Sequence, residues 1–373
     1  MKAIKILSII LCVSVLTCFA QTNDTGGNVK SFKVSGGGKV NVTLLVGSVR
    51  ILTWDKNEVA VRAEDVGEDE DLPFDISQSG STINIKNSIG VNRDNADIQI
   101  TVPSEFSVFI KTYQGDIKLL NSLKGNFQAS TGGGNITLSD VNGYVNIKTF
   151  GGNISTSIIS GDAVISTNGG NIHADNISGK SDISTMGGNI VLKDVGKNAN
   201  VKTNGGDISI RNIGGNADVM TYGGSISIQK VAGTASIKTN GGDIKLNGAS
   251  SYVDAETKGG DIELHNVYGS IKAETMSGDI YAELKSSGSG NSNISTLNGG
   301  IKLFIDPKLK VTINAKSVGN GTDDDKSIRS DFPAATINIS SNTVKAVYQL
   351  NGGGVLINLS AINDVIEIRR LKK

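Results

Sequence analysis

The phrase "TNGGDISI" at Thr203 returns as "TYGGSISI" at Thr221 and "TNGGDIKL" at Thr239, an 18-residue step. The same step leads back through Thr185, Thr167 and Thr149 to Thr131 and forward through Thr257 to Thr275, so nine copies stand in strict register. Looser copies begin at Thr112 and Thr296, each set slightly further from its neighbour than the regular step allows. No other feature constrains the fold as much. An 18-residue unit cannot enclose a core of its own and must bury its apolar face against the next unit, which implies a stacked array.

Within one unit, "GYVNIKTFGGNISTSIIS" from Gly143 to Ser160, Val145, Ile147 and Thr149 alternate with Tyr144, Asn146 and Lys148. That period of two belongs to a strand with one buried face. The Gly151-Gly152 pair predicts a turn, since glycine reaches positive φ without steric cost. Three inward columns recur, one through Ile147, Ile165 and Ile183, one through Ile154, Ile172 and Ile190, and one through Ile159, Ile177 and Val195. The expected fold is therefore all-β: a single-stranded parallel β-helix, or β-solenoid, with an 18-residue coil. The inward spacing of 5, 6 and 7 from Ile136 through Val141 and Ile147 to Ile154 favours the right-handed class over a left-handed helix of hexapeptides.

The organisation expected is a leader over 1–20, irregular capping strands over 21–110, regular coils over 111–305, and a loop with capping coils over 306–373. The leader has Lys2 and Lys5, an apolar run from Ile6 to Leu16, and "CFA" ending at Ala20, a signal-peptide pattern that directs export to the periplasm or cell surface. Cleavage before Gln21 removes both cysteines, Cys12 and Cys18. The competing lipoprotein reading acylates Cys18, against the poor fit of "VLTC" to that signal. No later apolar run reaches the roughly 20 residues of a membrane-spanning helix. The caps protect strand edges that an open solenoid end would offer to a neighbour. Basic and acidic side chains number 36 each, which removes the electrostatic basis for nucleic-acid binding. The expected protein is a monomer.

The phrases "FKVSGGGKVNV" with "GSVRILTWDKNEVAVRA", "ITVPSEFSVFIKTYQGDI", the T-x-GG-[DN]-I coils and "IRSDFP" with "LNGGGVLINL" resemble the bacterial DUF4097 adhesin family, related to the DUF2807 head domain. The resemblance implies an exported β-solenoid acting in surface adhesion and carries over no catalytic residues.

Two candidate sites come from the columns. The residue after each threonine points outward, and at Phe150, Asn168, Met186, Asn204 and Tyr222 it alternates apolar with amide, about 10 Å between apolar members. Such a stripe suits a glycan or an extended segment of an envelope or host surface protein, whereas the plainer reading is a shield for the adjacent turn. The position after the glycine pair reads Asn from Asn135 to Asn189 and later becomes Asp243, Asp261 and Asp279. Stacked asparagines are ordinarily structural, but three aspartates in register repel and match the oxygen preference of calcium. Calcium is the one cofactor the sequence suggests, and Lys245 and Lys258 relieve the repulsion equally well. The inward threonines from Thr131 to Thr275 read as a hydroxyl ladder.

Enzymatic readings fare worse. A polysaccharide lyase or hydrolase on this scaffold needs acids beside a basic residue, and Arg211, with Lys193 and Asp175 on one side and Gln229, Asn247 and His265 on the other, is a mixed column without walls. His173 and His265 occupy different columns. The function expected is non-catalytic binding at the cell envelope, with an envelope scaffold lacking any external ligand as the alternative, and the lyase or hydrolase after it.

Overall fold

The computed structural model describes residues 22–24, 29–64, 72–87, 97–319 and 327–372. The expected leader at 1–20 and most of the acidic stretch after Glu64 lie outside them. The described elements are all strands, and the long array is a parallel solenoid that keeps the 18-residue register. Ile154 pairs with Ile172, then Ile190, Ile208, Ile226, Ile244, Ile262 and Ile280.

Each regular coil contributes two strands to two sheets. In the coil Ala163–Ile177 they are Ala163–Ser166 and Ile172–Ile177. The longer strand holds two of the expected inward columns: Ile172 and Ala174 face in, Asp175 and Asn176 both face out, and Ile177 faces in again. At that double outward step the ladder skips Asp175 and resumes in the same register at Asn176. The core is a column of isoleucine, valine, leucine and alanine enclosed between the sheets, continuous from Phe32 to Ile368.

The expectation for the glycine pairs needs correction. None of the pairs from Gly133-Gly134 to Gly259-Gly260 has a left-handed φ. The second glycine is required by proximity instead. A Cβ on Gly170 would stand 2.0 Å from the Gly152 carbonyl oxygen, whereas a Cβ on Gly169 meets nothing closer than 3.7 Å. The coils stack too tightly at this corner for any side chain.

At both ends, sequence order and spatial order part. Near the N-terminus, Gly38–Val46 lies between Thr82–Asn87 and Phe106–Gln114, parallel to both. Near the C-terminus, Val355–Ile362 slots between Ser292–Asn298 and Val311–Val318. Antiparallel strands then finish the stack, Phe74–Ser79 at one end and Thr336–Ser340 with Thr343–Leu350 at the other.

Candidate functional site

The outward stripe is built from the threonine corner. Thr167 is buried; its hydroxyl donates to the Gly152 carbonyl of the preceding coil at 2.8 Å and accepts the Gly170 amide at 3.3 Å. The same pair of bonds recurs from Thr131 to Thr257, so the threonines form the expected hydroxyl ladder. With the corner fixed from inside, the next residue projects outward. Its amide bonds the equivalent carbonyl one coil back: Asn168 to Phe150 at 3.2 Å, Met186 to Asn168 at 3.1 Å, Asn204 to Met186 and Tyr222 to Asn204 at 3.2 Å. These backbone bonds keep the row in register from coil to coil.

Phe150, Met186 and Tyr222 are 55%, 57% and 54% exposed, and Asn168 and Asn204 lie between them as the sequence predicts. The row is longer than the predicted stripe. Tyr113, 76% exposed, follows Thr112 and precedes the gap at Gly132, so Tyr113, Phe150, Met186 and Tyr222 form an apolar ridge on alternate coils. Leu45 extends it at one end, and Met276 and Leu297 lie in the same row at the other. Tyr113 and Leu297 carried the signal already, since each follows the threonine of a looser copy. Leu45 did not, because Leu44 takes the threonine column there, opposite Thr112. The Lys148 ammonium lies 4.9 Å from the Phe150 ring centroid and covers part of that ring.

The acidic row has a structural use. Asp243 accepts the Asp261 amide at 2.9 Å, Asp261 accepts the Asp279 amide at 2.7 Å, and Asp279 accepts the Gly300 amide at 2.7 Å. The asparagines do the same, Asn153 accepting the Asn171 amide at 2.8 Å. Among the described residues no three His, Cys, Asp or Glu side chains gather as a metal site. Lys245 pairs with Glu263 at 2.6 Å.

The Arg211 column is satisfied internally. Arg211 pairs with Asp194, whose carboxyl its guanidinium and then the Asn212 amide hold below the usual range. Lys193 bonds Asp175 at 2.7 Å and lowers its carboxyl in the same way. His265 has a partner set the sequence did not reveal: Glu283 at 3.3 Å from Nδ1, and the Tyr281 ring at 4.8 Å between centroids. Burial, aided by a 2.8 Å hydrogen bond to Glu283, pushes the Tyr281 hydroxyl up to about 12. Beside it is an open depression of about 400 Å³ lined by Asp261, Asp279, Tyr281, Lys302 and Glu367. Lys302 is tied to Glu367 at 3.3 Å, while Asp261 and Asp279 each accept a backbone amide.

No curated protein matches the chain. Two solved structures align along most of its length. One, described as a "putative cell adhesion protein" from Clostridium sporogenes, is 8% identical, covering 95% of this chain and 100% of that one with a TM-score of 0.17. The other, described as a "putative adhesin" from Bacteroides fragilis, is 14% identical, covering 92% and 96% with a TM-score of 0.19. At these scores neither supports an argument about detail. The family model described as Toastrack DUF4097 matches residues 38–211 and 182–340, which span both the N-terminal strands and the coils. The chain belongs to the DUF4097 Toastrack family.

Proposed function

We propose that this protein is a non-catalytic, adhesin-like binding protein of the cell envelope, exported by the leader at residues 1–20, and that the ridge of Tyr113, Phe150, Met186 and Tyr222 is its contact surface for an extended glycan. The observation that carries this reading is the alternation itself. Large apolar side chains, each more than half exposed, stand on every second coil, about 10 Å apart, with glycine or asparagine between them. A β-linked polysaccharide presents an equivalent sugar face once per disaccharide, a repeat of similar length. Aromatic and thioether groups then pack against those faces while Asn168 and Asn204 offer amides to the hydroxyls between. A row fixed in register also loses little entropy on binding, which favours weak contacts repeated along a chain.

Affinity electrophoresis through gels containing soluble β-linked glycans tests this. The wild-type chain is retarded, and the Phe150→Ser, Met186→Ser, Tyr222→Ser triple variant runs as in a ligand-free gel with its β circular dichroism unchanged. Equal retardation of both rejects the ridge. Incubation with the same glycans releases no reducing ends or unsaturated products; their appearance rejects the non-catalytic reading.

A further inference from the structure

Stacked coils leave strands at both ends of each sheet with one unpaired side, and natural sheets protect such edges with charge. The edges of this molecule differ in that respect. The sheet that ends in Phe74–Ser79 carries Asp75 there, and the other sheet ends near the C-terminus in Ile328–Ser330 with Arg329. The strand Thr336–Ser340, "TINIS", has neither. It pairs with Thr343–Leu350 on one side only among the described strands, and all its residues are exposed. It sits in an uncharged stretch from Phe332 to Thr343, in a chain whose residues are 19% charged.

Its apolar residues also face the wrong way for an outer surface. Ile337 stands opposite Ala346 and Ile339 opposite Val344, and directly opposed residues share one face of a sheet. Ala346 and Val344 are 2% and 5% exposed, whereas Ile337 and Ile339 are 58% and 53% exposed. The core-facing side of the sheet therefore runs one strand beyond the material that covers it.

We propose that this edge docks a second copy of the same chain, the two Thr336–Ser340 strands pairing antiparallel about a two-fold axis through Asn338. The strand is self-complementary in that register. Ile337 of one copy opposes Ile339 of the other, Thr336 opposes Ser340, and Asn338 opposes its own counterpart. Cross-strand asparagine pairs are already used in this sheet, at Asn41–Asn84 and Asn314–Asn358, 2.8 and 3.1 Å between amide groups. A two-fold contact places only the residue on the axis, Asn338, opposite itself, and with no charge from Phe332 to Thr343 the pairing meets no like-charge repulsion. The result is a tail-to-tail dimer whose sheet continues from one copy into the next and whose two ridges point along a doubled solenoid.

Sedimentation velocity across a concentration series, with cysteine crosslinking, tests the proposal. The wild-type chain shifts from monomer to dimer as concentration rises, and the Ile337→Lys, Ile339→Lys variant stays monomeric with an unchanged melting temperature. In a chain with Cys12→Ser and Cys18→Ser, Asn338→Cys brings two sulfurs within disulfide range, because opposed Cα atoms lie about 4.5–5.5 Å apart. Oxidation then yields a covalent dimer, while Ser77→Cys on the opposite edge yields none. A wild-type monomer at every concentration, a dimer indifferent to the two lysines, or an Asn338→Cys chain that stays uncrosslinked on oxidation each overturns it.

Discussion

At single residues, stability depends on how closely the coils approach. Gly170→Ala drives a methyl into the Gly152 carbonyl and separates two coils, so it costs about 3 kcal/mol or more, whereas Gly169→Ala stays within about 0.5 kcal/mol. Chemical denaturation of the pair checks this, and equal effects contradict it. The need for both glycines was plain from the repeat, but the reason was not: a turn dipeptide and a steric gap look identical in sequence, and only the neighbouring coil distinguishes them. The buried hydroxyl of Ser181 makes the opposite case. It occupies the column of Ala163, Ala199 and Ala217 and has no hydrogen-bond partner among the described residues. Ser181→Ala therefore stabilises the protein by roughly 1 kcal/mol, seen as a raised melting temperature. A lowered one would mean the hydroxyl is satisfied.

At the scale of strands, burial and charge act in different places. Ile190 is wholly buried between Ile172 and Ile208, and Ile190→Ala costs about 2–5 kcal/mol by denaturant titration because rigid coils cannot collapse around the cavity. The inward columns were legible residue by residue, since alternation survives any uncertainty about where a coil bends. The double outward step at Asp175 and Asn176 was not, because two outward residues in a row look like a loop. The last strand, Ile366–Arg370, is held by charge: Asp331 accepts the Arg370 amide at 2.9 Å and the Arg369 guanidinium at 3.0 Å. These bonds lower the Asp331 carboxyl, and Arg369 with Lys302 lowers Glu367. Both groups titrate lower when folded, so their stabilisation is complete above the ordinary carboxylate range and is lost as pH falls below about 4. Protection from hydrogen exchange at residues 366–370, corrected for the intrinsic rate at each pH, falls there before that of the central coils, and Asp331→Asn shows the reduced protection already at neutral pH. Uniform exchange across the chain would contradict this.

At the scale of the whole molecule, the regular array is modular and its ends are not. Deleting residues 185–202 removes one full coil and leaves every remaining column in register, so the shortened chain folds cooperatively with a similar melting temperature. Loss of folding would show that coils are not interchangeable. Deleting residues 355–370 instead removes strands inserted between earlier ones, and gives an aggregating product. The period alone announced the array, whereas this intercalation was hidden because the phrases that form neighbouring strands there lie far apart in the chain, as Val311 and Val355 do. The ridge was legible at its centre, which followed from the repeat, and at Tyr113, which follows the threonine of a looser copy, whereas Leu45 was hidden because Leu44 takes the threonine column there. Binding in this proposal depends on the spacing of that ridge, and calorimetric titration with β-linked oligosaccharides of increasing length measures that dependence. Affinity should rise with length until the ligand spans Tyr113 to Tyr222, roughly 29 Å at the sheet repeat, and should vanish at all lengths in the Phe150→Ser, Met186→Ser, Tyr222→Ser variant. Affinity independent of length, or unchanged in that variant, would contradict it.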